Sequence, residues 1–343
     1  MRYLLFAFLV SSAVNFLFAK LVKIKAFSDA RQGVQKFHSR PVPRLGGVGV
    51  FIGALSAWLV LCIKRISNCE VFLWMILSSF PVVVAGILED GTGKVSHKWR
   101  LLASLVSGLL VFTFGICVNR VGISLLDYVV SVHIVSLAFT SFAIAGICNA
   151  FNIIDGFNGL ASGVAMLAFV SYSYLSFKLG DDLILFISAV MFFSLLGFFV
   201  WNYPYGLIFL GDAGAYFIGF MVGAVGILIV DRHSLVSPWF PVVLLAYPIW
   251  ETLFSMYRRR IKGKSPFFPD AMHLHSIIFR RITGKSFLAS VYCWFMELLC
   301  VVLALAFWKS TPLLMLSALA FVLFYLWIYF RIVRFKTPKI LKV

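Results

Sequence analysis

Long apolar runs with almost no charges recur along the whole 343-residue chain. A helix needs about 17–25 apolar residues to cross the roughly 30 Å hydrocarbon core of a bilayer. Eleven runs qualify, at about 3 to 22, 46 to 63, 71 to 88, 100 to 118, 129 to 148, 160 to 177, 183 to 201, 213 to 230, 239 to 257, 289 to 308 and 311 to 330. The chain is 62% hydrophobic and 13% charged, whereas soluble domains are about 45–50% apolar and about 25% charged. The sequence therefore predicts an all-α, polytopic integral membrane protein with about eleven transmembrane helices.

No repeat, low-complexity stretch or long polar segment separates these runs. We therefore expect residues 1–343 to form a single integral membrane domain. The first run resembles a signal peptide, but it continues through Phe16 and Phe18 without a clear cleavage site, so we expect it to be retained as a helix.

The formal net charge of +17 has two readings. In a soluble protein it would suggest nucleic acid, but in a membrane protein Lys and Arg concentrate in cytoplasmic loops. If the chain crosses the membrane eleven times, 23 of the 30 basic residues lie on one face and 7 on the other. This split predicts that the 23-residue face is cytoplasmic, with the C-terminus on it and the N-terminus outside, and nucleic acid is not an expected partner.

Four carboxylates fall at the cytoplasmic ends of predicted spans: Glu89, Asp90, Asp155 and Asp212. A charged group near hydrocarbon costs roughly 2.5–3.5 kcal/mol at a helix centre, so such residues are functional candidates. Acids contributed by separate loops can hold Mg²⁺, which takes one or two carboxylates and completes its octahedron with phosphate and water. The alternative for any single one is a solvated loop residue.

Cationic loops on the same face could bind phosphate. Lys36, His38 and Arg44 precede a double glycine at 46–47 that opens a helix, and Lys98 follows the third run. Side-chain charge together with free amides at the helix N-terminus suits an anion. Cationic loops also flank most inner-membrane helices, so this segment alone decides little.

Two imidazoles, His273 and His275, follow the ninth run. A helix would point residues two apart to different sides, whereas a turn or extended backbone aims both the same way. Because no Cys or third His lies nearby, proton or phosphate contacts are favoured over a zinc pair. The run Arg258–Arg260 is most simply an anchor for anionic lipid, with a catalytic role as the alternative.

The segment 149–160, NAFNIIDGFNGL, carries Asn149, Asn152 and Asp155 at steps of three. In a helical turn these side chains share one face, and the glycines that follow end the turn. Amides beside an acid at the membrane edge can read a base or sugar by hydrogen bonds. An ordinary helix terminus would explain one asparagine but poorly explains several.

These segments resemble, in order, those of the polyprenyl-phosphate N-acetylhexosamine-1-phosphate transferases of glycosyltransferase family 4, which include phospho-N-acetylmuramoyl-pentapeptide transferase. The resemblance covers about residues 30 to 285 and rests on five segments: 36–47, 89–90, 149–160, 209–212 and 273–276. Eleven spans look more like the branch that initiates polysaccharides such as O-antigen. Membership implies a multi-pass protein of the bacterial inner membrane.

The resemblance implies transfer of HexNAc-1-phosphate from a UDP-HexNAc donor to a polyprenyl phosphate acceptor such as undecaprenyl phosphate, with release of UMP. The implied cofactor is Mg²⁺, with Mn²⁺ as a substitute, and a homodimer is compatible with the family. Asp212 would bind the metal, Asn152 and Asp155 would lie at the nucleotide and metal, and Phe209 would pack near the uracil.

The same resemblance gives roles to the remaining candidates. The acidic pair Glu89 and Asp90 would face the lipid phosphate, while Lys36, His38 and the two imidazoles would hold phosphates. Because a lipid phosphate is largely dianionic at neutral pH, with a second pKa of about 6, we favour its direct attack over a covalent aspartyl intermediate, with Asp90 orienting the acceptor.

Some residues depart from the family pattern. Glu89 replaces the usual aspartate, and Ser276 stands where a further histidine is common. Glu251 resembles an acid of relatives or serves as a structural partner for a buried Asn or Arg, and Glu297 fits no motif. An inactive scaffold is therefore one alternative, and a transporter or flippase of a lipid-linked or anionic sugar, which Glu297 alone favours, is another.

Overall fold

Fifteen α-helices and one π-helical turn make up the described part of the chain in a computed structural model, which covers residues 2–21, 42–63, 69–263, 265 and 272–334. The predicted phosphate residues Lys36 and His38 lie outside these ranges. The helices are α1 Arg2–Leu21, α2 Gly46–Ile63, α3 Cys69–Ser78, α4 Phe80–Thr92, α5 His97–Thr113, α6 Ser124–Val130, α7 His133–Ile154, α8 Leu160–Leu179, α9 Asp182–Asn202, α10 Gly211–Arg232, α11 Trp239–Leu244, α12 Ala246–Ile261, α13 Leu274–Ile278, α14 Ser286–Phe307 and α15 Thr311–Arg334, and the π-helical turn Phe279–Thr283 continues α13.

Within the described ranges, eight helices are long and apolar enough to cross a membrane: α1, α2, α7, α8, α9, α10, α14 and α15. A ninth span results if α3 and α4, which meet at an angle of 40°, are counted as one bent segment. The prediction of an all-α polytopic membrane protein is confirmed. The number of eleven spans stays a prediction, because the two further runs form a 17-residue helix, α5, and a broken pair, α11 and α12.

Proline explains both breaks. Pro81 lies in the first turn of α4 and Pro248 in the first turn of α12. A proline has no N–H to donate and its ring clashes with the carbonyl four residues earlier. At the second break the buried carboxyl group of Glu297 on α14 accepts a hydrogen bond of 3.3 Å from the backbone N–H of Tyr247. This residue, which fitted no motif, therefore supports the interrupted helix.

Helix α10 lies at the centre of the bundle and is buried over almost its whole length. Its first turns pack directly against α2 and α4, because a methyl group on Gly47 would overlap the backbone of Gly214 and one on Gly86 would overlap Ala213. Small residues allow helix backbones in membranes to approach this closely. The packing brings the start of α10 to the start of α2 and the end of α4.

The helix ends form two opposite faces. We call the face with the first residues of α10 the site face, and the face with Asp181 and Arg232 the far face. Helices α1 and α9 run parallel, since Tyr3 contacts Phe186 with ring centroids 5.1 Å apart and Phe16 contacts Trp201 at 5.0 Å. Helix α15 begins on the far face and ends on the site face, so α1 begins and α15 ends on opposite faces.

Candidate active site

The first turn of α10 is held by an acid from another helix. The two carboxylate oxygens of Asp90 accept hydrogen bonds from the backbone N–H groups of Asp212, at 2.9 Å, and Ala213, at 3.0 Å. Unpaired amides and the helix dipole both favour an anion at this position. Asp90, buried at the end of α4, therefore fixes the backbone that carries Asp212.

Two arginines meet the Asp212 carboxylate. Nη2 of Arg44 lies 3.5 Å from Oδ1 of Asp212, and Nε of the same side chain lies 3.6 Å from Oδ1 of Asp90. Arg100 on α5 donates from Nη1 to Oδ2 of Asp212 and is itself buried. We call Arg44, Asp90, Arg100 and Asp212 the charge cluster.

Asp155, the first residue after α7, lies near this cluster. Burial raises the pKa of Asp155 well above its usual range, and the charges of Asp212 and Asp90 raise it further, against the opposite effect of Arg44. The three predicted aspartates, Asp90, Asp155 and Asp212, therefore lie close enough for their charges to interact. Crowded carboxylates of this kind are stabilised by a cation.

The asparagines lie on the last turns of α7, which runs six residues beyond the predicted span. Asn149 donates from Nδ2 to the carbonyl of Ala145, at 2.7 Å, and its Oδ1 accepts from the hydroxyl of Tyr216 at 3.3 Å. Asn149 and Asn152 both line a large cavity, described below. This placement agrees with the expectation that the two asparagines share one helical face, whereas Asp155 follows α7 as its C-cap residue.

Glu89 and Lys98 lie at the edge of the cluster. Oε2 of Glu89 accepts from the backbone N–H of Val95 at 2.8 Å, which closes the turn after α4. Lys98 is exposed on the first turn of α5, beside Leu101 and Leu102, while Arg100 reaches the carboxylates. Lys98 thus lies outside the charge cluster, and Arg100, which the sequence suggested only as a topology signal, lies inside it.

The segment before α2 pairs with the segment before α10. The N–H of Phe209 donates to the carbonyl of Pro43 at 2.8 Å, and the N–H groups of Gly46 and Gly47 donate to the carbonyls of Phe209, at 2.9 Å, and Leu210, at 2.8 Å. The expectation of free amides at 46–47 is therefore wrong, because backbone carbonyls already use them. The pairing instead aligns Arg44 with Asp212 and leaves the Phe209 side chain half-buried.

His273 is anchored by Glu251. Oε1 of Glu251 lies 2.9 Å from Nδ1 of His273, and Oε2 accepts from the backbone N–H of Leu274, at 3.1 Å, and from the hydroxyl of Tyr325, at 2.7 Å. An acid that accepts this many hydrogen bonds is held as a carboxylate, so Nδ1 of His273 carries the proton. Glu251 is thus a structural partner, but of a histidine rather than of an Asn or Arg.

His275 lies behind its neighbour and is almost fully buried. The rings of His273 and His275 are parallel within 2°, with centroids 5.3 Å apart, although His275 lies in the short helix α13 and only His273, just before that helix, has an extended backbone. Nδ1 of His275 lies 3.1 Å from the hydroxyl of Tyr247, and a methyl group on Gly156 would lie 3.4 Å from Nε2. Burial, with the charge of His273, lowers the pKa of His275 to about 3. His275 is therefore neutral at physiological pH and supports the loop that follows Asp155.

The three consecutive arginines of α12 have three different environments. Arg258 donates to the hydroxyl of Tyr329 at 2.9 Å and lies over the ring of Phe254. Arg260 is exposed. Arg259 is only 8% exposed, donates from Nη2 to Oγ of Ser255 at 2.7 Å, and lines the large cavity. The interpretation of the whole run as a membrane anchor is therefore incomplete.

A cavity of about 1060 Å³ extends from the far face to the site face between α5, α7 and α12. Most of its wall is aliphatic or aromatic. Its polar lining lies mainly at the site face, and there it includes His97, Asn149, Asn152, Thr252, Arg259 and His273. This combination suits an amphiphile with a long apolar chain and a polar head.

The carboxylates fit a magnesium ion that shares its ligands with a substrate. Among the residues that the structure describes, no group of three or more His, Cys, Asp or Glu is placed to hold a metal alone. Mg²⁺ commonly needs only one or two carboxylates when phosphates and water supply the rest. Asp212 and Asp155 provide such oxygens. The negative charges of Asp212 and Asp90, which raise the pKa of Asp155, are charges that a bound cation would neutralise.

Comparison with known proteins agrees with this arrangement. A family model described as glycosyl transferase family 4 matches residues 72–230. A probable undecaprenyl-phosphate N-acetylglucosaminyl 1-phosphate transferase of Bacillus subtilis is 29% identical over 273 residues, which cover 78% of this chain and 75% of the relative. The chain belongs to glycosyl transferase family 4. The resemblance drawn from the sequence is thereby confirmed.

Other relatives of this family 4 protein have similar names. An undecaprenyl-phosphate alpha-N-acetylglucosaminyl 1-phosphate transferase of Thermotoga maritima is 29% identical over 279 residues, covering 81% of this chain and 80% of the relative. A decaprenyl-phosphate N-acetylglucosaminephosphotransferase of Mycolicibacterium smegmatis is 31% identical over 272 residues, covering 69% of this chain and 65% of the relative.

Several site residues of the family 4 protein were not predicted from its sequence. In the sequence, Arg100 and Arg259 appear only among the basic residues that indicate topology, and no motif marks His97 or Tyr325. Arg100 has a weak local signal, because it lies in the first turn of the helix that follows the acidic pair Glu89 and Asp90. The Tyr325 hydroxyl reaches Glu251 over 74 residues of chain, and no local pattern indicates that contact.

Proposed function

We propose that this family 4 protein transfers HexNAc-1-phosphate from a UDP-HexNAc to a polyprenyl phosphate and releases UMP. The observation that carries the proposal is the charge cluster at the first turn of α10, placed beside the polar end of a long apolar cavity. The names of the relatives favour GlcNAc as the sugar and undecaprenyl phosphate as the acceptor.

The donor is proposed to bind at the charge cluster and the end of α7. Arg44 and Arg100 lie where they can bind diphosphate oxygens, because guanidinium groups hold phosphate by paired hydrogen bonds. Asn149 and Asn152 can bind the base or sugar, with Phe209 against the uracil and Lys36 and His38 near the phosphates. Mg²⁺ held by Asp212 and Asp155 would neutralise charge on the diphosphate.

The transfer itself needs positioning more than acid–base catalysis, as phosphoryl transfer generally does. An oxygen of the lipid phosphate attacks the phosphorus that bears the sugar. The bond from that phosphorus to the bridging oxygen breaks, and UMP departs with the electron pair. The product is polyprenyl-diphosphate-HexNAc, so no covalent enzyme intermediate is needed.

Asp90 has a different proposed role from the one expected. With both oxygens bonded to the first turn of α10, it orients Asp212 rather than the acceptor. Glu89, which has one carboxylate oxygen on a backbone N–H, is the acid of the pair with an oxygen left for a substrate-side contact. His273, fixed by Glu251, is proposed to contact phosphate from the cavity side.

A transporter is disfavoured by the position of Glu297. That acid accepts a backbone hydrogen bond at the break between α11 and α12, so it has a structural function. The other candidate acids lie together at the site face, rather than at the middle of two repeated halves as transporters place them.

We propose that the site face is cytoplasmic and that the product initiates a cell-surface polysaccharide.

The test is a UMP-release assay with purified protein, undecaprenyl phosphate, Mg²⁺ and a panel of UDP-HexNAcs. We expect UMP only when both the lipid phosphate and Mg²⁺ are present, and fastest with UDP-GlcNAc. Failure of every UDP-HexNAc to yield UMP would reject the proposed reaction. Transport of substrate into proteoliposomes without UMP would favour the transporter.

A further inference from the structure

Helix α15 contributes none of the five segments on which the family resemblance rests, yet two of its tyrosines reach the histidine segment. The hydroxyl of Tyr325 donates to Oε2 of Glu251 at 2.7 Å. One turn later, the hydroxyl of Tyr329 donates to the carbonyl of Met272 at 3.3 Å. Because Met272 immediately precedes His273, α15 holds both the acid that bonds this imidazole and the backbone that leads into it.

The contact between Tyr325 and Glu251 lies in the interior of the protein, where both residues are fully buried. A buried carboxylate needs protein donors for its oxygens, because water does not replace a lost one. Oε1 of Glu251 accepts from Nδ1 of His273, while Oε2 accepts from the N–H of Leu274 and from the Tyr325 hydroxyl. Without that hydroxyl the carboxylate is free to turn, and the imidazole bonded to it turns as well.

The end of α15 that carries these tyrosines is itself fixed. Arg258 donates to the hydroxyl of Tyr329 at 2.9 Å. Arg281 donates to two carbonyls near the end of α15, at 2.6 and 2.8 Å. The rings of Tyr325 and Tyr329 stack with an angle of 14° between their planes. A tyrosine has only two side-chain torsions, so a packed ring presents its hydroxyl as a rigid donor.

We propose that Tyr325 is a positioning residue for the transfer reaction, because through Glu251 it sets the orientation and the tautomer of His273. This inference rests on the proposed function, in which His273 contacts phosphate. Nδ1 of His273 faces Glu251, so Nε2 is the nitrogen left for the phosphate. A hydrogen bond to one ring nitrogen determines what the other presents. Tyr325 acts only through this chain of contacts and touches neither substrate.

The first test is a double-mutant cycle on UMP release. Tyr325→Phe removes only the hydroxyl and should lower kcat/KM about tenfold or more, since misplacing a group by about 1 Å can cost roughly 100-fold. In a His273→Asn background the same change should have almost no further effect, because the residue it positions is gone. Equal effects of Tyr325→Phe in both backgrounds would show that the hydroxyl only supports the fold, and would overturn the proposal.

Tyr172→Phe is the matched control. Tyr172 on α8 is also fully buried, and its hydroxyl donates to the carbonyl of Val222 on α10 at 3.2 Å. This variant loses a buried hydrogen bond and should keep the wild-type kcat/KM.

Tyr329→Phe covers a failure of Tyr325→Phe to fold. It removes the hydrogen bond to the carbonyl before His273, and it should lower kcat/KM by a smaller factor that also disappears in the His273→Asn background. If neither tyrosine variant depends on His273, α15 does not position the imidazole.

A spectroscopic measurement separates this inference from the proposed reaction. Protein labelled with ¹⁵N at histidine is studied by NMR at alkaline pH, and the signals of His273 are identified by their loss in His273→Asn. We expect the Nδ1-protonated tautomer in wild type and in Tyr172→Phe, and a mixture of both tautomers in Tyr325→Phe. If no UDP-HexNAc yields UMP but the tautomer depends on Tyr325, the reaction is wrong and the positioning role stands. An unchanged tautomer in Tyr325→Phe would reject that role.

Discussion

Asp212 joins two arginines from different parts of the chain, Arg44 before α2 and Arg100 on α5. Its backbone N–H is held by Asp90 at the same time. In a partly buried site, an ion pair of this kind is weak evidence for stability. The arrangement keeps a carboxylate and two cations together where the diphosphate of the proposed donor would bind.

Removing the charge of Asp212 tests its assignment as the metal ligand. Asp212→Asn should lower Mg²⁺-dependent UMP release by about 100-fold or more, the scale seen when one preorganised polar group is lost from an active site. Asp231→Asn, on the same helix but at the far face, is the control and should keep wild-type activity. Full activity of Asp212→Asn would show that the metal binds elsewhere.

The acidic pair provides a second prediction. In Asp90→Asn only one side-chain oxygen remains for two backbone N–H groups, and an unpaired buried donor costs about 1–3 kcal/mol. We expect a lower Tm together with lost activity, whereas Glu89→Asp should keep much of both. An Asp90→Asn protein that is inactive but melts like wild type would instead favour a chemical role for Asp90.

The low pKa of His275 predicts how stability depends on pH. Because this pKa is about 3 in the folded protein and about 6.5 in an unfolded chain, the unfolded state binds the extra proton first. The contribution of a neutral His275 to the free energy of unfolding is therefore fully present above pH 6.5. It is lost as the pH falls from 6.5 towards 3, because protonation then stabilises the unfolded state. The Tm in detergent should fall less between pH 7 and pH 5 in His275→Asn than in wild type. Identical pH slopes would contradict the burial of a neutral imidazole.

At the scale of elements, α10 is the support on which the site is built. Gly47→Ala would place a methyl group against the backbone of Gly214, so α2 and α10 must separate and Arg44 must move away from Asp212. We expect a fall in Tm and a loss of UMP release. Gly146→Ala is the stability control, since its methyl group meets no atom within 4 Å. An unchanged Tm in Gly47→Ala would mean that the two helices are not in close contact.

Periodicity and hydropathy predicted where helices lie but not where they break. The run at 239–257 reads as one span, yet the structure divides it at Leu245, where Pro248 and the distant Glu297 stabilise the interruption. The predicted run at 129–148 stops six residues short of the end of α7, although the helical turn expected through Asn149, Asn152 and Asp155 marks that end locally. Contacts such as Arg100 with Asp212 depend on how helices pack, which one sequence does not reveal.

At the scale of the whole molecule, the first residues of α1 and the last residues of α15 lie on opposite faces. Helix α1 begins on the far face, and Arg281 at the site face donates to the carbonyl of Ile332 near the end of α15. With the site face inside, a C-terminal green fluorescent protein should fluoresce and a C-terminal alkaline phosphatase should be inactive. An active phosphatase fusion would reverse the orientation inferred from the basic residues.

The measurement closest to the central claim follows a single phosphate. UDP-GlcNAc labelled with ³²P on the phosphate that bears the sugar is incubated with the protein, undecaprenyl phosphate and Mg²⁺. The account predicts that the label passes to the lipid in equal amount to the unlabelled UMP released. Label recovered in UDP, with an unlabelled glycolipid, would show that only the sugar is transferred and would contradict the account.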